Sequence, residues 1–450
     1  METNWKLFYK QVFMLVVPMT IQNLINVGVT AADVMMLGRV GEDVLSGSSL
    51  AGQIQFVMTL FLFGITSGAT VMTAQYWGKR DTRSIEKIMG IGMLAAVSAG
   101  LIFTIASQLF PEQLLRIYTS DPDVIAEGVK YLKVVSLSYV LMAMTQVYLY
   151  IMRSIERVII ATIVYSTSLV VNVVLNILLI FGTFGFPKLG IVGAAIATLT
   201  SRIIEFSIVV WYANKKSKDV RFRIGDVFHI DKILFRDFLT YAAPVIVNEL
   251  LWGLGSSTNT AIIGHMGSAA VAANSVAQMA RQLAMVVCFG VSNATAIYLG
   301  KTIGEKRFEL AKVYGRKFLQ LSIIVGAAGG AMILLAAPFI NNFMTLSLEA
   351  QEYVKFMFFV MSYFALCMSI NTTLIVGVLR SGGDTKYGML VDIGGMWCFS
   401  ILLGAIAAFK FHASVEVVYV ILMSDEVIKI PMSVARFKSN KWIKDITRDM

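Results

Sequence analysis

The sequence is 450 residues long, carries 38 Lys and Arg against 28 Asp and Glu, and is 57% hydrophobic with only 15% charged residues. Because an ordinary soluble chain carries about 25% charged residues, this composition excludes a typical soluble enzyme and indicates an integral membrane protein. The basic residues are scattered over short loops rather than gathered in one block, which does not favour a nucleic-acid partner.

Apolar runs long enough to cross a bilayer recur along the whole chain. A spanning helix needs about 20 apolar residues, and we count twelve runs of this kind. They lie near 12–37, 46–76, 88–109, 128–152, 159–181, 190–212, 238–262, 272–300, 317–341, 353–379, 386–410 and 413–435. The sequence therefore predicts an all-α, polytopic membrane protein with twelve transmembrane helices.

The two halves of the chain resemble each other. A shift of 226 residues places Pro18 on Pro244 and Gly64 on Gly290 without a gap. Repeats of this kind are a common way to build a transporter around a central site. We predict an N-lobe at 1–213 with helices 1–6, a cytoplasmic linker at 214–237 and a C-lobe at 238–450 with helices 7–12.

The basic residues of the loops predict the orientation. When the loops are assigned alternately to two sides, most Lys and Arg fall on the side of the chain termini. Because cytoplasmic loops carry an excess of basic residues, we expect a multi-pass protein of the plasma membrane with both termini in the cytoplasm. No cleavable signal peptide is predicted.

Three polar residues of the first span, Asn26, Thr30 and Asp33, share one helical face. An unpaired aspartate at the centre of a bilayer costs about 2.5–3.5 kcal/mol on insertion scales. Such residues usually face a cavity and bind an ion or a proton. The alternative is that Asp33 is solvated near the outer membrane surface.

The fifth and sixth spans supply further oxygen ligands. Asn172 and Asn176 are four residues apart and share a face, and Thr198 lies in the next span. Amide, hydroxyl and carboxylate oxygens suit a hard cation such as Na⁺. The alternative is that the asparagines only hydrogen-bond neighbouring helices, which is worth about 0.6 kcal/mol each. Arg202 and Glu205 are expected to form an internal ion pair.

The second half places its intramembrane charges differently. One hypothesis is that Arg281 is the counter-ion of Glu249 or Asp392, which would make that pair structural; the alternative is that Glu249 or Asp392 acts in transport. We expect Asp425, Glu426 and Lys429 to neutralise one another. The residues of a candidate second site or substrate cavity are Asn26, Thr30, Glu249, Arg281, Asn371 and Asp392.

These motifs resemble those of the multidrug and toxic compound extrusion (MATE) transporters over essentially the whole chain. The motifs that carry the resemblance are NVGVTAADVMMLG from Asn26 to Gly38, the run Gly64–Gly78, NVVLN from Asn172 to Asn176, GIVGAAIAT from Gly190 to Thr198, and LRSGGDT from Leu379 to Thr385. Each motif is weak alone, but their order and duplication are specific.

The resemblance implies a V-shaped fold of two six-helix lobes that exports bulky, often cationic compounds in exchange for Na⁺ or H⁺. It implies a cation site at Asp33, Asn172, Asn176 and Thr198, with Asn at 176 where some members have Asp. Glu249 matches a glutamate found in one branch of the family, whose tenth-span aspartate is missing beside Asn371 here. The implied partners are small organic molecules and the bilayer, with a monomer as the functional form and with no cofactor beyond the coupling ion.

Three other functions compete with this hypothesis. A flippase for lipid-linked saccharides, from the same wider superfamily, would carry more cationic residues in its cavity. A different twelve-span carrier would not be expected to have the motifs at Asp33 and Asn172. A passive channel would need a filter loop or an oligomeric ring, and an enzyme is disfavoured because His229, His265 and His412 lie far apart in the sequence.

Overall fold

A computed structural model of the chain describes residues 5–217, 219–343 and 347–448. Within these ranges the chain is helical and contains no β-strand. Both termini are predicted to be cytoplasmic. The extreme ends of the chain, residues 1–4 and 449–450, lie outside the described residues.

The first half folds into nine α-helices with two short 3₁₀ turns, Ser136–Ser138 and Thr183–Gly185, among the described residues. The helices are α1 (Trp5–Gly38), α2 (Glu42–Gly78), α3 (Thr82–Leu109), α4 (Pro111–Arg116), α5 (Pro122–Val135), α6 (Tyr139–Ser154), α7 (Ile159–Phe181), α8 (Ile191–Lys215) and α9 (Ile224–Phe228).

The second half begins with three helices of more than thirty residues each and ends with shorter ones. They are α10 (Lys232–Gly264), α11 (Ser268–Gly304), α12 (Phe308–Phe343), α13 (Leu348–Thr372), α14 (Thr385–Ile393), α15 (Leu402–Phe409), α16 (Val415–Leu422) and α17 (Asp425–Lys438). Two π-helical stretches, Thr373–Leu379 and Gly394–Ile401, extend α13 and join α14 to α15.

Eleven helical segments of the described chain are long and apolar enough to cross a membrane. The twelfth predicted run, 413–435, is not one uninterrupted helix. It is divided at Met423 and Ser424 into α16, which is apolar, and α17, which begins with two acidic residues. The charged side chains of α17 need polar partners in an apolar setting, and the break allows them to reach those partners.

The chain forms two compact units. The N-terminal unit contains Ile21–Thr73 and Asp81–Ile246, and the C-terminal unit contains Met1–Thr20, Ala74–Arg80 and Val247–Met450. The first part of α1 and the end of α2 therefore belong to the C-terminal unit. The lobe boundaries predicted from the sequence stay a prediction.

Repeated prolines mark the places where α1 and α10 pass from one unit to the other. Pro18 lies inside α1 and Pro244 inside α10. The boundary between the units follows Thr20 in α1 and Ile246 in α10, which are each two residues beyond the proline. Proline removes a backbone hydrogen bond and crowds the preceding turn. The repeated sequence thus removes one backbone hydrogen bond from each helix at an equivalent position.

Repeated glycines make equivalent close contacts within the two units. A Cβ atom on Gly64 would lie 2.6 Å from Cα of Ile246, and one on Gly290 would lie 2.5 Å from Oγ1 of Thr20. Ile246 and Thr20 are themselves related by the shift of 226 residues. The glycines are therefore required where α2 meets α10 and where α11 meets α1.

Large apolar side chains cover much of the outer surface. Phe13, Ile102 and Leu335, which lie on three different helices, are 67%, 66% and 70% exposed. An extensive apolar surface of this kind marks a protein that is covered by a partner or by lipid. Together with the eleven apolar helices, it identifies a multi-pass membrane protein.

Candidate functional site

The carboxylate of Asp33 meets the amide of Asn176 inside the N-terminal unit. Asp33 lies near the end of α1, and Nδ2 of Asn176 on α7 donates a hydrogen bond of 2.5 Å to its Oδ1. Asn172 and Asn176, on successive turns of α7, are 2% and 0% exposed. Residues 143 apart in the chain thus form a buried polar contact.

The polar contacts continue from α7 to α8. Nδ2 of Asn176 also lies 3.1 Å from Oδ1 of Asn172, and Nδ2 of Asn172 lies 3.5 Å from Oγ1 of Thr198. The structure therefore brings together Asp33, Asn172, Asn176 and Thr198, the four residues that the sequence predicts for a cation site. Their role in binding a cation stays a prediction.

Apolar packing one turn away fixes these side chains. Leu37, Ile180 and Ala194 form a buried cluster, and each lies four residues from Asp33, Asn176 or Thr198. Gly193 allows α8 to approach α7, because a Cβ atom there would lie 2.5 Å from the carbonyl oxygen of Leu179. The motif from Gly190 to Thr198 therefore sets the distance between the two helices.

A cavity of about 440 Å³ opens beside this polar chain. Its walls include Thr30 and Asp33 from α1, Tyr131 from α5, Asn172 from α7, and Thr198 and Arg202 from α8. Asn26 does not line it, since seven residues of helix separate Asn26 from Asp33 by about 10 Å. The side chain of Thr30 bonds back to the carbonyl oxygen of Asn26.

Asp33 has no ion-pair partner among the described residues. Arg202, the basic residue of the cavity wall, binds Glu205 through contacts of 2.8 and 2.9 Å, as the sequence predicts. In addition, Oδ1 of Asn176 is buried and has no hydrogen-bond partner in the part of the chain that the structure describes. The cavity thus offers the uncompensated carboxylate of Asp33, and the spare amide oxygen of Asn176 lies on the side chain bonded to that carboxylate. Oxygen ligands of these kinds suit a small cation.

The C-terminal unit pairs its carboxylates. Oε1 of Glu249 on α10 accepts a hydrogen bond of 2.7 Å from Arg380, which follows the π-helical stretch after α13. Oδ1 of Asp392 on α14 lies 2.7 Å from Nζ of Lys429 on α17. Neither carboxylate pairs with Arg281.

The hypothesis that Arg281 is a counter-ion is therefore wrong. Its guanidinium donates to Gln278 at 2.7 Å, one turn earlier on α11, and lies 5.8 Å from the ring centre of Phe364. Two closer cations, Arg380 and Lys429, already occupy the carboxylates. Arg281 forms no ion pair within the described ranges.

Lys429 collects three carboxylates. Besides Asp392, its ammonium lies 2.8 Å from Asp425 and 2.9 Å from Glu426, so the predicted mutual neutralisation within α17 is present. Asn371 donates to Oε2 of Glu426 at 2.8 Å and to the backbone oxygen of the same residue at 2.6 Å. The predicted second-site residues Asn371 and Asp392 thus meet through Lys429, whereas Glu249 binds Arg380.

Sequence reasoning missed Tyr131, which lines the cavity beside Asp33, and the roles of Arg380 and Asn248. Arg380 is repeat-related to Arg153, but Arg153 lies over the rings of Tyr150 and Tyr165. The repeat therefore gave no guide to the partner of Arg380. Asn248 donates to Asp392 at 3.0 Å, and its position beside Glu249 in the sequence was the available signal.

Comparison with known proteins agrees with this architecture. The family model MatE matches residues 18–178 and 244–406, once in each half of the chain. The chain is 24% identical over 396 residues to "Probable multidrug resistance protein YoeA" of Bacillus subtilis, covering 86% of this chain and 84% of that protein. It is 23% identical over 448 residues to "Probable multidrug resistance protein NorM" of Thermotoga maritima, covering 97% and 93%.

Solved structures share the fold. A crystal structure of MATE in the straight conformation has a TM-score of 0.86 at 17% identity, covering 96% of both chains. A superfamily transporter from Pyrococcus furiosus, described as having a binding pocket of reverse polarity, has the same TM-score at 18% identity and the same coverage. At these identities the likeness concerns the fold alone. Since the MatE model matches well over half of the residues, in two repeats, the chain belongs to the MatE family of membrane transporters.

Proposed function

We propose that this protein is a cation-coupled multidrug efflux antiporter. It exports organic, often cationic, compounds across the plasma membrane by alternating access, with both termini in the cytoplasm. The coupling ion, Na⁺ or H⁺, binds at Asp33 with Asn172, Asn176 and Thr198. The relatives named as probable multidrug resistance proteins support the substrate class.

One observation carries the coupling site: the carboxylate of Asp33 faces a cavity without an ion-pair partner in the described chain. A buried charge of this kind is costly unless it is neutralised. A cation or a proton supplies the missing charge. Since no three His, Cys, Asp or Glu side chains of the described residues are grouped for a metal ion, a Na⁺ ion here relies on amide and hydroxyl oxygens.

Binding at Asp33 can couple two fluxes through a simple linkage. When Asp33 is neutralised, its attraction for the amide of Asn176 weakens, and the contact between α1 and α7 changes. A ligand shifts a conformational equilibrium only through its different affinities for the two states. If the ion and the drug favour different arrangements of α1 and α7, each reduces the affinity for the other by the same factor.

The proposal is tested with ethidium efflux from proteoliposomes that contain the full chain. Na⁺ and pH gradients are imposed separately, and efflux is expected to depend on at least one of them. Asp33→Asn should abolish the gradient dependence. Asp43→Asn, the same substitution at an exposed residue ten positions away, should leave it intact.

Two outcomes would contradict the proposal. Efflux by the wild type that ignores both gradients would favour a passive channel or a flippase. Gradient-driven efflux by Asp33→Asn at the wild-type rate would move the coupling site elsewhere. Size-exclusion profiles of both variants control for folding.

A further inference from the structure

A second, larger cavity lies in the C-terminal unit, at the ends of three apolar helices. Its volume is about 860 Å³, and its walls come from the start of α1, the end of α11 and the start of α12. All three helices are long and apolar enough to cross a membrane. Because the cavity lies where these spans end, it lies at the depth of the lipid headgroups. This is the side of the membrane that the basic loops predict to be cytoplasmic.

The walls of this cavity are strongly basic. Residues 5–11 and 298–317 contain all of its lining side chains, and they carry eight Lys and Arg residues against two Glu residues. The charged residues that line the cavity itself are Lys301, Lys306, Arg307, Glu305 and Glu309. A surface with this excess of positive charge attracts anions over about 10 Å at ordinary salt concentrations.

The two carboxylates of the cavity are already engaged by neighbouring cations. Glu305 lies 3.3 Å from Arg307, and Glu309 lies 2.6 Å from Lys312. Lys306 also lines the cavity and forms no ion pair among the described residues. The positive charge of Lys306 is therefore available to an anion from outside the chain.

An apolar wall accompanies the basic residues. Leu7, Phe308 and Val313 line the cavity and are 51%, 37% and 37% exposed. Phe8 and Tyr314 line it as well and stack with 4.6 Å between their ring centres. A free inorganic anion would use only the basic side chains, whereas a phospholipid would use the basic side chains and the apolar wall.

The repeat provides an internal comparison for this cavity. Arg80 and Lys306 are related by the shift of 226 residues, and both have a left-handed backbone, with φ of 63° and 59°. Helices α3 and α12 begin two residues later, at Thr82 and Phe308. The loop before α3 and the loop before α12 are therefore equivalent.

In the N-terminal unit the chain places its own anionic group on the start of α3. Both carboxylate oxygens of Asp226, on α9, accept hydrogen bonds of 2.6 Å from Arg83. The side chain of Glu86, one turn further along α3, is only 7% exposed, whereas that of its repeat-related residue Lys312 is 29% exposed. The start of α3 is thus covered by α9, while the start of α12 faces the cavity.

We propose that this basic cavity binds an anionic phospholipid, that is, a lipid whose phosphate headgroup keeps a net negative charge. The phosphate lies against Lys306 and Arg307, and the acyl chains follow Leu7, Phe308 and Val313 into the bilayer. Basic pockets between spans on the cytoplasmic side suit such headgroups, because anionic lipids are abundant in that leaflet. The inference goes beyond the proposed antiport, since the lipid is bound and not transported.

The test is native mass spectrometry of the full chain in detergent micelles, titrated with dioleoyl phosphatidylglycerol. One lipid molecule is expected to bind more tightly than all later ones. Lys306→Gln combined with Arg307→Gln should weaken its binding roughly 25-fold, since each basic residue near an anionic headgroup contributes roughly fivefold. Lys215→Gln combined with Lys216→Gln, which removes two exposed lysines at the end of α8 in the other unit, is the charge-matched control and should leave this binding unchanged.

Glu305→Gln tests the cavity by a gain of affinity, which a folding defect does not produce. The substitution removes the carboxylate that pairs with Arg307. Phosphatidylglycerol should therefore bind roughly fivefold more tightly to Glu305→Gln than to the wild type. Unchanged or weaker binding would contradict the proposal.

Two further probes separate the lipid from other ligands. Dioleoyl phosphatidylcholine, which has no net charge, and inorganic phosphate, which has no acyl chains, should each bind much more weakly than phosphatidylglycerol. Equal affinity for phosphatidylcholine would show that the cavity does not recognise charge, and equal affinity for inorganic phosphate would identify a site for a free anion. Equal losses in the two double variants would reduce the effect to a general attraction to the protein surface. Each of these three results would overturn the proposal.

Discussion

The two units treat their intramembrane carboxylates in opposite ways. In the N-terminal unit Asp33 faces a cavity, and Arg202 in the same wall is bound to Glu205 instead. In the C-terminal unit Glu249 binds Arg380, and Lys429 binds Asp392 and its two acidic neighbours. A carboxylate without an internal counter-ion attracts an external cation, whereas a paired one mainly stabilises the fold.

This difference arises between repeat-related helices. The residue of α10 that corresponds to Asp33 of α1 is Asn259, and the one that corresponds to Asn23 is Glu249. Asn259 is buried, and its Oδ1 atom lacks a hydrogen-bond partner among the described residues, but an amide attracts a cation less strongly than a carboxylate does. The duplicated scaffold therefore carries its ionisable groups at different depths in the two halves.

The largest effect on stability is expected from Lys429→Met. This substitution leaves three buried carboxylates without their cation, and breaking a buried ion pair costs about 3–5 kcal/mol. The measurement is thermal unfolding of the purified protein, followed by the height of its folded peak in size-exclusion chromatography. Asp33→Asn is the matched comparison, and it should unfold near the wild-type temperature because it breaks no ion pair.

The opposite order of unfolding temperatures for these two variants would contradict the comparison between the units. If Asp33→Asn unfolded at a lower temperature than Lys429→Met, Asp33 would be a structural residue. Combining Lys429→Met with Asp425→Asn and Glu426→Gln should restore much of the lost stability, since fewer charges are then left unpaired.

Arg380→Met is expected to have the next largest effect on the free energy of unfolding, near the lower end of the range of about 3–5 kcal/mol. The effect is smaller than that of Lys429→Met because one carboxylate rather than three loses its cation. The guanidinium is 4% exposed and its partner Glu249 is 12% exposed. The double variant Arg380→Met with Glu249→Gln should be more stable than Arg380→Met alone. Thermal unfolding of the four proteins in this cycle measures the coupling, and simple additivity would mean that the pair contributes nothing.

The sequence predicted the helices and the first site better than the pairings of the second half. Hydropathy located the spans because each helix had to be apolar, and the spacing of Asn172 and Asn176 placed them on one face of α7. Hydropathy averages over a long window, so it did not resolve the break at Met423 and Ser424. The partner of Glu249 lies 131 residues away, and no local pattern specifies such a distant contact.

Asn176→Asp tests whether the number of carboxylates sets the ion affinity of the first site. The new carboxylate would lie against Asp33, because the two side chains already touch. A second negative charge favours a cation strongly at low effective dielectric. We expect the Na⁺ concentration for half-maximal ethidium efflux to fall by about tenfold, or about 1.4 kcal/mol.

Asn259→Asp is the control for this prediction, since it adds the same charge at the repeat-related position in the other unit. It should leave the Na⁺ dependence of efflux unchanged. An equal shift in both variants would mean that the added charge acts through the overall field and not through the site at Asp33.

Among the changes in stability, the smallest is expected for a paired carboxylate outside the membrane spans. Asp384, in the turn before α14, accepts hydrogen bonds from Arg436 at 2.6 and 3.1 Å and from Lys444 at 3.0 Å. Burial alone would raise the pKa of Asp384, but these two cations hold that pKa below its ordinary value. Asp384→Asn should therefore lower the free energy of unfolding at pH 7 by about 1.5–3 kcal/mol, the typical contribution of hydrogen bonds to charged groups.

The stability lost in Asp384→Asn is expected to depend on pH in a definite direction. Because the pKa of Asp384 is lower in the folded than in the unfolded protein, its contribution is complete above the unfolded value of about 3.9 and is lost as the pH falls through the folded value. The difference in unfolding temperature between wild type and Asp384→Asn should thus be largest at pH 7 and shrink as the pH falls below about 4. A constant difference would show that Asp384 stabilises the turn by its shape and not by its charge, and the contrast between paired and unpaired carboxylates would then be confined to the membrane interior.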